Sequence, residues 1–220
     1  MKTLPGEIEK SSMDIIDAEL RERGISLSEE NAAIIRRCIH ASADFDYAGN
    51  LRFTSHAVLR AVEALRHGAV IITDTNMAHA GVSRPALQAL GSAAYCFMAE
   101  PSIAERAKVQ GSTRAAAAVD YAAEQHPGAI HAVGNAPTAL LRLEEKIEAG
   151  LRPALVIGVP VGFVNVVESK ERILRVCMTH DIPAIVALGR KGGSSISAAI
   201  CNALLYSAAG MLDPAERGWR

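Results

Sequence analysis

From Ala69 onwards, short continuous apolar runs alternate with amphipathic stretches, and this alternation constrains the fold more than any other feature of the chain. The runs are "AVIIT" (Ala69 to Thr73), "AAYCFM" (Ala93 to Met98), "AIHAVG" (Ala129 to Gly134), "ALVIGV" (Ala154 to Val159) and "PAIVAL" (Pro183 to Leu188). A strand with one wet face alternates apolar with polar residues. These do not, so each predicts a strand buried on both faces. Between them "SRPALQAL", "PSIAERAKV", "TRAAAAVDYAAEQ", "APTALLRLEEKIEAG" and "ESKERILRVCMTH" carry helical spacing, and "SSISAAICNALLYSAA" predicts a last helix. The pattern is that of an α/β fold: a mainly parallel central sheet of about five strands, with helices on both faces.

The N-terminal third reads as a helical section folded onto that sheet. "SSMDIIDAELRERG" offers Ser11 or Ser12 as N-cap and Gly24 as terminator. "SLSEENAAIIRRCIH" opens on a capping-box pattern, Ser26 with Glu29 three residues on. "TSHAVLRAVEALRHG" offers Thr54 or Ser55 as cap and Gly68 as terminator. No Pro/Gly/Ser-rich linker interrupts the chain, so residues 1–220 read as one domain.

Composition removes several function classes. A net charge of −1 gives no nucleic-acid footprint, and 4% aromatic residues do not make a base-stacking platform. The four cysteines, Cys38, Cys96, Cys177 and Cys201, lie far apart in apolar runs and read as reduced core thiols rather than a zinc or disulfide site. "MKTLPGEIEKSS" has no apolar h-region, and no apolar run is long enough to span a bilayer. The expectation is a cytoplasmic protein with neither membrane nor nucleic acid as partner.

Ligands of open α/β sheets bind outside the carboxyl ends of the strands. The strand exits here read "DTNMAHAG", "GNAPT", "GVPVGFVNVVESKE" and "GRKGGSS". In the second, Asn135 is a candidate cap for a helix with Pro137 in its first turn. Glycine-rich exits that lead into helix N-termini favour an anion, although glycines after strands also serve tight turns and packing. Neither a P-loop nor a GxGxxG follows a strand, so no nucleotide is specifically indicated. Arg37, Arg84, Arg114, Arg142 and Arg190 remain as cations suited to carboxylates, and such a set fits a ligand with several carboxylate arms.

Of seven histidines, His56, His67, His126 and His180 fall at helix ends or turns and read as surface residues, while His79 and His131 are less clear. No His/Cys cluster has metal-ligand spacing, so no built-in metal is expected. His40 stands out in "IIRRCIHASADFDY". Arg36 and Arg37 precede it by a turn, and Asp44 and Asp46 follow. Arginines oppose the imidazolium, while a carboxylate and a helix C-terminus favour it. Such a balance suits proton transfer, but a histidine that merely caps helix carbonyls would give the same spacing.

Six stretches, "RRCIHASADFDYAGNLRF", "VIITDTNMAHAGV", "GSTRAAAA", "GNAPTALL", "GVPVGFVNVVESKE" and "GRKGGSSISAAICNALLY", together resemble the precorrin-8X methylmutases, or precorrin isomerases, in the expected order and over nearly the whole chain. The resemblance implies an isomerase of cobalamin biosynthesis. Its reaction is a formal 1,5-sigmatropic shift of a methyl group from C-11 to C-12 on ring C of a tetrapyrrole. It further implies a homodimer with active sites near the subunit interface, and no added cofactor. His40 matches the family's active histidine, which protonates the macrocycle. Ser12, Arg37 and Arg114 match substrate-binding positions. Asn135, Thr138, Arg190 and Ser194 extend that set from the strand-exit loops. "ADFDY" and "TDTNMA" resemble the branch that acts on cobalt-precorrin-8, where Asp44 and Asp46 would tune His40. Two other readings compete: a non-catalytic corrinoid carrier, and an unrelated α/β enzyme for a phosphorylated metabolite.

Overall fold

The computed structural model describes residues 4–217; the first three residues of the N-terminal stretch lie outside the described part. Six strands form one sheet in the order β1-β6-β5-β4-β2-β3. The expected runs supply β2 (Ile71–Thr73), β3 (Ala94–Tyr95), β4 (Ile130–Val133), β5 (Leu155–Gly158) and β6 (Ala184–Ala187), all mutually parallel. The sixth, β1 (Leu51–Phe53), pairs antiparallel with β6 and was not expected. Three residues give no readable alternation, and β1 exists because β6 would otherwise leave its edge N–H and C=O groups unpaired.

That added strand matters for the site. Leu51 pairs with Ala187, and the Leu188 N–H donates to the Asn50 carbonyl at 2.9 Å. The chain entering β1 is therefore brought to the carboxyl end of β6. The element just before it is helix α2 (Glu29–Ser42), which carries His40, followed by the single turn α3 (Tyr47–Asn50).

Helices cover both faces. On one lie α1 (Pro5–Glu22), α2, α4 (Ala57–Arg66), α5 (Asn76–Gly81), α6 (Arg84–Ala89) and α11 (Ser194–Ala209). Ile34, Ile35, Cys38 and Ile39 of α2 and Ile200, Cys201 and Leu204 of α11 join the core on this face, beneath Ile157 and Ile185. Each fully buried Ile or Leu contributes roughly 1.5–3 kcal/mol. On the other face lie α7 (Pro101–Gln110), α8 (Arg114–Gln125), α9 (Pro137–Glu148) and α10 (Val166–Thr179). The small-residue face of α8 is spent here, with Ala115, Ala117, Ala118 and Ala122 all buried. Cys38, Cys177 and Cys201 are buried free thiols, and Cys96 is half-buried.

The expected caps are displaced. Helix α1 begins at Pro5, which suits a first-turn proline, so Ser11 and Ser12 lie inside it and donate back to the carbonyls of Glu7 and Ile8. The N-cap of α2 is Ser28 rather than Ser26, with no side-chain bond. His56, at φ 52°, caps α4, because Thr54 is taken up with the sheet edge: its hydroxyl donates to the Ile182 carbonyl and accepts from the Ala184 N–H. Ala136, not Asn135, precedes α9.

Candidate active site

The carboxyl edge of the sheet carries a built polar surface. Asp74, just after β2, is buried. Its Oδ1 accepts from the Gly134 N–H at 2.9 Å, and its Oδ2 accepts from Asn135 and Ala136 N–H groups at 2.7 Å each. Burial outweighs these bonds and raises its pKa above the usual carboxylate value. This corrects one expectation from the sequence: the anion-friendly N–H groups of "GNAPT" are filled by the chain's own Asp74. The Asn135 side chain is left exposed, with no hydrogen bond among the described residues.

Two hydroxyl pairs link neighbouring exits. Thr75 and Ser194 are 2.8 Å apart, and the Thr113 hydroxyl donates to that of Thr138 at 3.0 Å. Gly134 lets the N-terminus of α11 approach β4, since a Cβ there would stand 2.9 Å from both the Ser194 Cα and the Ser197 Cβ. The structure therefore gathers Asn135, Thr138 and Ser194 along one edge, with Arg114 at the start of α8 beside Thr113. Arg114 is exposed and makes no ion pair among the described residues.

Arg190, in the turn after β6, stacks on the exposed ring of Phe163, with its guanidinium carbon 5.3 Å from the ring centroid. It too lacks an ion pair among the described residues. Arg142 differs: it is bound to Asp120 at 2.7 Å and to Glu145 at 2.5 Å, so it belongs to the scaffold between α8 and α9 rather than to a free cationic set.

His40 stands in the last turn of α2 and exposes its outer edge. It makes no hydrogen bond among the described residues, so it is not the carbonyl cap that its spacing allowed. The Ser42 hydroxyl and the Ala43 N–H bind the last carbonyls instead. Partial burial, then the field of Arg37, hold the imidazole below its ordinary pKa; Glu9 pulls it up and Arg217 pushes it down. The expected tuning by Asp44 and Asp46 is not what the geometry gives. Ala43 turns left-handed at φ 54°, which carries both aspartates off the His40 face. They clasp Lys191 instead, at 2.7 Å and 2.5 Å. Lys191 adjoins Arg190, so this clasp ties the segment after His40 to the exit of β6.

Sequence reasoning missed the carboxylate that acts on His40 alongside Arg37. Glu9, buried in α1, accepts from Arg37 at 2.8 Å and from Arg217 at 2.6 Å. Burial works to raise its pKa, and the two guanidiniums outweigh it and hold the carboxyl below its usual range. Both arginines also lie over the ring of Tyr206. Helical spacing makes Glu9 look like a solvated residue, and nothing local signals its partners 28 and 208 residues away. Arg37 is thus placed and charged, but held by Glu9. Ser12 lies one turn further along α1, its hydroxyl turned back on the Ile8 carbonyl.

The family model for precorrin-8X methylmutase matches residues 7–207. A cobalt-precorrin-8 methylmutase of Salmonella typhimurium is 44% identical, covering 92% of this chain and 95% of its own length. Another from Leptospira interrogans is 41% identical, covering 90% and 91%. The crystal structure of precorrin-8x methyl mutase from Thermus thermophilus superposes with a TM-score of 0.81 at 42% identity, over 92% of this chain and 98% of that one. With the fold, the ordered motifs and the relatives in agreement, the chain belongs to the precorrin-8X methylmutase family, the isomerases of cobalamin biosynthesis.

Proposed function

We propose that this enzyme converts cobalt-precorrin-8 to cobyrinic acid by moving a methyl group from C-11 to C-12 of the macrocycle, with His40 as the proton donor. The observation that carries the reading is His40 itself: exposed, free of hydrogen bonds among the described residues, and within the fields of Arg37 and Glu9, with a lowered pKa. Protonation draws electron density from the macrocycle and weakens the C-11–methyl bond. The methyl then passes to C-12 with its bonding pair, and the proton returns to His40. The sequence of steps leaves atoms and oxidation state unchanged, so it calls for no added cofactor. An anionic substrate beside His40 offsets the Arg37 field and raises the proton affinity when the proton is needed.

Arg114, Arg190, Ser194, Asn135 and Thr138 are read as substrate-binding groups at the sheet edge, with Ser12 and Arg37 on the helical side. Cobalt in the substrate is favoured by the names of the 44% and 41% identical relatives. The cleft beside Arg37 measures about 330 Å³. Drug-sized ligands occupy about 300–1,000 Å³, so a tetrapyrrole with several acid arms needs further walls. Val161, Phe163 and Val164 expose apolar surface at the same sheet edge. Together these support a homodimer with the site near its interface.

The test offers wild type and His40→Ala both precorrin-8X and cobalt-precorrin-8 and follows the visible spectrum. Turnover by wild type alone, with binding kept in both, is the expected result, and the faster substrate assigns the metal state. Binding without turnover by wild type would leave a carrier. Sedimentation gives the oligomeric state independently.

A further inference from the structure

Lys170 is fully buried in α10, yet it pairs with no carboxylate among the described residues. Its Nζ donates to the carbonyls of Gly189 at 2.9 Å and Lys191 at 2.8 Å. These are the residues on either side of Arg190. A buried ammonium costs more than a neutral donor, and it persists only where it supplies several strong bonds from one point.

The turn it grips would otherwise be loose. Gly189 at φ 76° and Gly193 at φ 129° give the backbone more freedom than any L side chain would. It is secured on its other sides as well. The Gly162 N–H donates to the Arg190 carbonyl at 3.2 Å, and the Gly193 N–H donates to the Val159 carbonyl at 2.9 Å. The Lys191 side chain leaves for Asp44 and Asp46. Within this frame the Arg190 guanidinium makes no hydrogen bond or ion pair among the described residues and rests on Phe163.

We propose that Lys170 is a positioning residue: by holding the carbonyls on both sides of Arg190, it keeps that guanidinium stacked and unpaired, ready for a carboxylate arm of the substrate. The proposal rests on reading Arg190 as a substrate-binding group. Fixing the turn beforehand removes ordering entropy that binding would otherwise have to meet, so the effect falls on affinity and not on the methyl shift.

The experiment compares Arg190→Ala, Lys170→Met and the double variant, each first checked by circular dichroism and thermal melting, for kcat and KM with the preferred precorrin. Loss of one charged hydrogen bond corresponds to about a tenfold change in affinity. Arg190→Ala is expected to raise KM by that amount, with kcat within about twofold. Lys170→Met is expected to do the same, and the double variant to be no worse than Arg190→Ala alone. If Arg190→Ala raises KM but Lys170→Met does not, or if the two effects multiply, Lys170 is only a fold staple and the proposal falls while Arg190 keeps its role. If Arg190→Ala leaves KM unchanged, both fall. Should Lys170→Met not fold, Lys170→Gln, with one amide donor of similar reach, is read by the same criteria.

Discussion

Glu9 is the carboxylate that opposes burial and Arg37 at His40, and its effect has a definite sign. Its field raises the His40 pKa, while Arg37 and Arg217 lower it. Glu9→Gln removes that upward pull and leaves two cations undiminished, so the imidazole pKa falls further. If protonated His40 starts the reaction, the alkaline limb of the kcat profile moves to lower pH. The same change breaks a buried pair, which typically costs about 3–5 kcal/mol, so the profile is measured well below the melting temperature. An unmoved limb would show that another group titrates there. How much of this was readable residue by residue depends on distance along the chain. His40 and Arg37 lie in a motif whose place in the order is diagnostic. Glu9 does not, because its carboxylate acquires meaning only when α1 crosses α2 and residues 214–217 fold back beside it.

Elements follow a similar rule. Strands β2, β4, β5 and β6 were legible because double-sided burial forces continuous apolar runs; β3 lies within its expected run but stands at the sheet edge with Tyr95 exposed, so it is not the doubly buried strand its run predicts. Strand β1 was not legible, because "LRF" is too short to carry a period and its pairing is set by β6. The helix starts were misplaced where local capping chemistry lost to something longer in range: Pro5 for α1, and the sheet edge that claims Thr54. The turn between β6 and α11 is the element where geometry and function meet, and Gly192 tests it. A Cβ at this position would lie 2.1 Å from the Val159 carbonyl oxygen, which no rotamer can relieve. Gly192→Ala must therefore push the turn off β5, at about 2 kcal/mol by the usual cost of overpacking. For a chain of this length that is a fall in Tm of about 4–8 °C, with a rise in KM as Arg190 moves. Gly128→Ala is the control, since open space surrounds its Cβ and no change is expected. Equal melting of the two variants would mean that the β6–α11 turn yields freely.

At the scale of the whole molecule, the sheet centre holds a group that makes stability depend on pH. His131 lies on β4 between Ile72 and Val156, fully enclosed, with its Nε2 lacking a partner. Burial lowers its pKa from 6.5 to about 4. Between those values the unfolded chain binds a proton that the folded chain refuses. Stability therefore rises with pH across this window and is lost as pH falls from 6.5 towards 4. The gap corresponds to about 3 kcal/mol. Glu9 and Asp120 also destabilise on acidification, but their pKa values are held below 4.5 and 3.8, so they act mainly beneath this range. His40, with its own lowered pKa, adds a smaller contribution of the same sign. Urea unfolding at fixed protein concentration, at pH 7 and pH 4.5, should show wild type losing most of that free energy. His131→Met fills similar volume without a proton site, so its loss over the same interval should be much smaller. Wild type and variant falling in parallel would mean that the acid sensitivity lies elsewhere, and that the imidazole in the middle of the sheet keeps its proton on folding.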